Sequence, residues 1–103
     1  MSNKLPPVLF KFTGILGSKA EAVVLLDSGA TGNFVSESFV RANGFITQPS
    51  SNQVSLADGR TTNSPGMLHE VSIRIGTYTD KLNLIVTPLH GYDIILGMDW
   101  LRS

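Results

Sequence analysis

The stretch Val24-Leu25-Leu26-Asp27-Ser28-Gly29-Ala30, followed closely by Asn33-Phe34-Val35, decides how the rest of the chain is read. Ala22 to Leu26 is a continuous apolar run, which suits a β-strand buried on both faces. Asp27 ends that run, and a carboxylate at the end of a buried strand is costly unless something satisfies it. Asp27 to Asn33 holds two glycines and several small polar residues, so it reads as a loop. On the Asp-Ser-Gly triplet alone two readings stand side by side. Asp27 either forms an Asx-turn after a strand or is a carboxylate placed for chemistry.

Upstream, Val8, Phe10 and Phe12 alternate, Ile15 and Leu16 follow, and Gly17-Ser18-Lys19 is a turn, predicting a β-hairpin with the apolar run as its second arm. Downstream, Ser36 is an N-cap and Gly44 a C′ residue for a short helix, with Glu37 near the positive end of its dipole. Val54-Ser55-Leu56 is a short strand and Asp58-Gly59 a hairpin turn, since both residues tolerate positive φ. Arg60 to Gly66 is polar and reads as a mobile stretch. Val71, Ile73 and Ile75 alternate with polar residues, Gly76 to Asp80 turns the chain, and Leu82, Leu84 and Val86 alternate again. Asp93 to Gly97 is a last buried strand, and Met98 to Arg102 starts a final helix. The pattern predicts one mostly β domain over residues 1–103, with one or two short helices.

Composition narrows the function classes. The chain has 103 residues, long enough for one thin core, and balances eight Lys and Arg against eight Asp and Glu. That argues against nucleic acid and against a membrane surface as partners. No cysteine is present, which excludes disulfides, thiolate metal sites and cysteine nucleophiles. His69 and His90 are isolated and read as surface or strand-edge residues. No apolar run reaches the roughly 20 residues of a membrane span, and Met1-Ser2-Asn3-Lys4 has no signal-peptide core, so an intracellular, cytosolic setting is the simplest expectation. Charged residues are only 16% of the chain, which fits surface kept for a partner.

About 60 residues after the Asp-Ser-Gly loop comes Asp93-Ile94-Ile95-Leu96-Gly97-Met98-Asp99-Trp100-Leu101. The pair of motifs resembles the retropepsin family of aspartic proteases, most closely the protease segment of gypsy-type LTR retrotransposon polyproteins. The first looks like the family's active-site loop, the second like its apolar-apolar-Gly strand and helix start. The resemblance covers nearly the whole chain, from Val8 to Leu101. The resemblance implies a small closed β-barrel-like acid-protease fold and an aspartic endopeptidase with no metal or cofactor. It implies an extended peptide or a Gag-Pol-type polyprotein as substrate, cut in the cytoplasm or within virus-like particles.

By that resemblance Asp27 is catalytic. Aspartic proteolysis needs two carboxylates sharing one proton. This chain carries one Asp-Ser-Gly, so the second carboxylate is expected from Asp27 of another copy in a homodimer. Gly29 lets its N–H approach the carboxylate, Ser28 matches the hydroxyl that bonds across the two-fold axis, and Ala30 is the small loop base. Leu96 and Gly97 match the strand that supports the loop from behind. Leu56, Ala57, Asp58, Gly59 and Arg60 fall where the family carries its flap, a hairpin that closes on substrate. Two departures stand out. Thr31 and Met98 occupy positions where retroviral members often pair Asp with Arg, so a different brace is expected. The sequence also stops at Ser103, before the family's C-terminal interface strand, which predicts a weak dimer. An inactive retropepsin-like module for dimerisation or peptide binding is the alternative.

Overall fold

β1 (Leu9–Leu16) and β2 (Ala20–Asp27) form the expected hairpin in the computed structural model of the chain, which describes residues 9–49, 53–55, 61–63 and 66–97. Leu16 faces Ala20 at the turn and Leu9 faces Asp27 at the far end. Facing residues share one side of a sheet, so Leu16, Gly14, Phe12 and Phe10 line up with Ala20, Ala22, Val24 and Leu26 on the inner face. Leu16, Ala20, Ala22 and Val24 are buried there, and Leu25 is buried on the other face, as a continuous apolar run requires.

The chain then adds β3 (Phe34–Ser36), α1 (Glu37–Ala42), β4 (Gln53–Ser55), β5 (Thr61–Asn63), β6 (Met67–Ile75), β7 (Tyr78–Thr87) and β8 (Ile94–Leu96). Six strands close into a barrel in the order β1-β2-β8-β3-β7-β6, and β4 and β5 form a separate two-stranded sheet. β8 lies between β2 and β3, parallel to the first and antiparallel to the second. Ile94 and Leu96 point into the core with Leu16, Val24, Val35, Ile73, Leu84 and Val86. Each such aliphatic side chain contributes roughly 1.5–3 kcal/mol by leaving water.

Local chemistry explains most element ends. Ser36 caps α1, its Oγ accepting the Phe39 N–H at 3.3 Å. Glu37 and Arg41 pair at 2.8 Å one turn apart. Past the helix, Gly44 takes φ +69° and the Phe45 N–H reaches the Val40 carbonyl, so the chain turns back and stacks Phe45 on Phe39.

Three readings of the sequence need correction. The β6–β7 turn is only Gly76-Thr77, because Gly76 at φ +61° makes a two-residue connection and leaves Tyr78, Thr79 and Asp80 inside β7. β6 starts earlier than its alternation indicates. A bulge between Leu68 and Val71 puts Glu70 at φ +49°, its N–H donated to Asn83 Oδ1 at 2.8 Å. That extra residue shifts the phase, so Leu68 faces inward with Ile73 despite the odd spacing. Thr61 to Asn63, read only as part of a polar, mobile stretch, forms a strand paired with β4. Ladder bonds come from the backbone, so a polar segment rich in β-branched threonine can supply them.

α1 is the one helix among the described residues, and there no helix is long and apolar enough to cross a membrane. The helix expected from Met98 to Arg102 lies outside the described residues.

Candidate active site

Asp27 is the last residue of β2, half-buried where the inner strand face gives way to the loop. Its Oδ1 accepts the Gly29 N–H at 2.8 Å and its backbone carbonyl accepts the Ala30 N–H at 3.1 Å. The loop thus wraps round Asp27 and grips it at two points, leaving Oδ2 with no hydrogen bond among the described residues. Ser28 is half-buried and Gly29 exposed, so both flank the carboxylate at the surface. Both bland and chemical readings of the triplet predict this turn; what distinguishes them is the support behind it.

That support comes from β8. Leu96 pairs with Leu26 in the parallel ladder and is fully buried, setting the strand end beside Asp27. Gly97 follows, and a Cβ there would lie 2.6 Å from the Ala30 carbonyl oxygen and closer still to that of Gly32. Only a residue without a side chain lets the loop rest on the strand this closely. Ala30, Leu96 and Gly97 are therefore brought together behind Asp27.

Two residues to which the sequence reading assigned no role join the assembly. Asn33 accepts the Gly97 N–H on Oδ1 at 2.9 Å, and its backbone carbonyl accepts the Ile85 N–H at 2.9 Å. Asp93 accepts the Val23 N–H on Oδ2 at 2.8 Å, donates its own N–H to the Val23 carbonyl at 2.9 Å, and accepts the Ser36 N–H on its carbonyl at 2.7 Å. It locks the start of β8 between β2 and β3. Both residues stand inside the quoted motifs, so their position was visible while their partners were not. Thr31 is exposed, and the link from loop to β8 runs through Asn33.

Leu56, Ala57, Asp58, Gly59 and Arg60, the expected flap, lie outside the described residues, as do Met98, Asp99 and Trp100. β4 and β5 stand on either side of this segment in the chain, Ser55 facing Thr61. His69 and His90 are exposed, with His69 Nε2 3.7 Å from Glu70 Oε2. Among the described residues, no three His, Asp or Glu side chains cluster as metal ligands would.

The open end of the hairpin adds a surface feature. Leu9, directly opposite Asp27, and Phe10, opposite Leu26, are both more than half exposed.

Residues 23–103 match the family model described as the PEG10/RTL1 protease domain, which takes in both the Asp27 loop and β8. Among solved structures, the chain is similar to the retroviral protease-like domain of Ddi1 from Leishmania major. The TM-score is 0.72 at 17% sequence identity, and the match covers 96% of this chain and 78% of that one. At that identity the likeness establishes the fold, and the closed barrel is that of a retroviral protease-like domain.

Proposed function

The chain belongs to the PEG10/RTL1 protease-domain family and is a retropepsin-like protease domain, and from that premise we propose that it is an aspartic endopeptidase whose active site joins Asp27 from two copies. The observation that carries the proposal is the Asp27 carboxylate itself. It is held on one oxygen by the Gly29 N–H, in a loop seated directly on Gly97. A turn-forming aspartate needs no such platform.

The chemistry follows from pairing two such carboxylates. Like charges in contact cannot both ionise, so the pair holds one proton and titrates as a unit. The ionised member takes a proton from a water as that oxygen attacks the scissile carbonyl carbon, and the protonated member donates to the carbonyl oxygen. The resulting tetrahedral diol collapses with cleavage of the C–N bond, and a proton passes to the leaving amine. Gly29 and Ala30 fix the direction of each carboxylate beforehand, which removes reorganisation from the barrier. In this proposal the hairpin framed by β4 and β5 is the flap that covers the peptide. A polyprotein of the same element is the substrate.

The test is peptide cleavage by the purified domain across a range of protein concentrations, with Asp27→Asn as the control. The rate should rise more steeply than linearly with concentration and should peak at mildly acidic pH, where a carboxylate pair retains one proton. Equal cleavage by the Asp27→Asn variant would end the proposal. Saturable binding of a pepstatin-type inhibitor without any turnover would replace it with the peptide-binding module.

A further inference from the structure

We propose that Asn33 is a positioning residue for Asp27, acting through its side-chain bond to Gly97; the role rests on the aspartic-protease reading above. Gly97 is buried, so its N–H must find a partner inside the protein or leave a costly unpaired donor. Asn33 Oδ1 supplies that partner at 2.9 Å, across 64 residues of sequence. Because the Gly97 group is a donor, the oxygen and not the nitrogen of the carboxamide faces it, which fixes the orientation of the side chain.

The consequence runs through the loop. Asn33 is tied to β7 by its backbone carbonyl and to β8 by its side chain. Gly97, held in this way, is the wall against which the Ala30 and Gly32 carbonyls rest without room for one added carbon. Ala30 in turn donates to the Asp27 carbonyl, and Gly29 beside it donates to the Asp27 carboxylate. A chain of direct contacts therefore leads from Asn33 to Gly97, to Ala30, and to Asp27. Loss of the Asn33 acceptor frees Gly97 to seek water, and the loop loses its seat at the point that aims the carboxylate.

The experiment compares Asn33→Ala, Asn33→Ser and Asn33→Asp with Val35→Ala, a core truncation two residues away that leaves the loop bonds intact. Cleavage kinetics, thermal midpoint and the amide signals of Gly29, Ala30 and Gly97 are read for each. Asn33→Ala should lower kcat roughly 10- to 100-fold, the scale of a small misplacement of a catalytic group, with KM changed less than about twofold. Asn33→Asp keeps an acceptor of the same reach and should restore kcat to within about threefold of the parent. Asn33→Ser should fall between and covers the case in which Asn33→Ala does not fold. The Gly97 amide should exchange faster, and the Gly29 and Ala30 signals should move, in Asn33→Ala but not in Val35→Ala. A kcat for Asn33→Ala no lower than that of Val35→Ala at equal thermal loss would overturn the role, as would unmoved Gly29 and Ala30 signals. If the parent domain cleaves no peptide, the protease reading fails on that result, and the amide signals still decide whether Asn33 seats the loop.

Discussion

The two ends of the β1–β2 hairpin share one inner face and have opposite fates. At the turn end, Leu16, Ala20 and Ala22 are sealed in the core, and β6 pairs with Ile15 and Leu16. Phe45 closes over the turn so tightly that a Cβ on Gly17 would lie 2.6 Å from its ring, while Lys19 Nζ sits 4.7 Å from the ring centre. At the other end the same face offers Phe10, 59% exposed, and a half-buried Leu26 beside Asp27. Among the described residues, the hairpin's inner face is sealed at one end and partly exposed at the other. Stability is concentrated where the hairpin is closed, and the carboxylate stands where it is not. Five substitutions test that division.

The largest effect belongs to the open end and should leave the fold untouched. Asp27→Asn should lower cleavage by about a thousandfold or more, since it removes the shared-proton chemistry. Urea unfolding should keep its midpoint, because the half-buried amide can still accept the Gly29 N–H. A variant that also unfolds early would show that Asp27 is structural.

At the closed end the expectations reverse. Leu16→Ala removes a fully buried side chain and should cost about 2–5 kcal/mol, read from the denaturation midpoint. A loss below about 1 kcal/mol would mean that the turn end is less sealed than its burial indicates. Gly17→Ala should cost roughly 1–3 kcal/mol, combining a positive φ of +65° with the Phe45 contact. Gly44→Ala, at a similar φ but with nothing within 4 Å, isolates the first part, and the difference between the two measures the contact.

The smallest change in domain stability should come from Phe10→Ala, under about 1 kcal/mol because the ring is mostly exposed. Its effect should appear instead as weaker self-association by sedimentation, since Phe10 and Leu9 flank the residue proposed to meet its own copy. Unchanged association would place the contact elsewhere on the surface.

The same contrast explains how far the sequence could be read. The turn at Gly17, the cap at Ser36, the reversal at Gly44 and the buried run before Asp27 were all legible. Each depends on the backbone preferences of a few adjacent residues. Asp27 and Gly29 were legible for the same reason, since their bond spans two residues. The bulge at Glu70 was not, because an extra residue in a strand reverses the alternation on which the reading relied. Thr61 to Asn63 read as a polar, mobile stretch because its sequence carries no apolar signal, yet a ladder asks only for backbone groups.

The sequence by itself therefore determined a β-rich retropepsin-like chain with one marked carboxylate at the end of a buried strand. The tertiary structure decided what stands behind that carboxylate. Asn33 reaches Gly97, Asp93 locks onto Val23, and Leu96 runs beside Leu26, pairs separated by about 64 to 70 residues. No local preference encodes such pairs. They exist only once the barrel closes in one register, because a shift of one residue would turn Ile94 and Leu96 out of the core and carry Gly97 away from the loop.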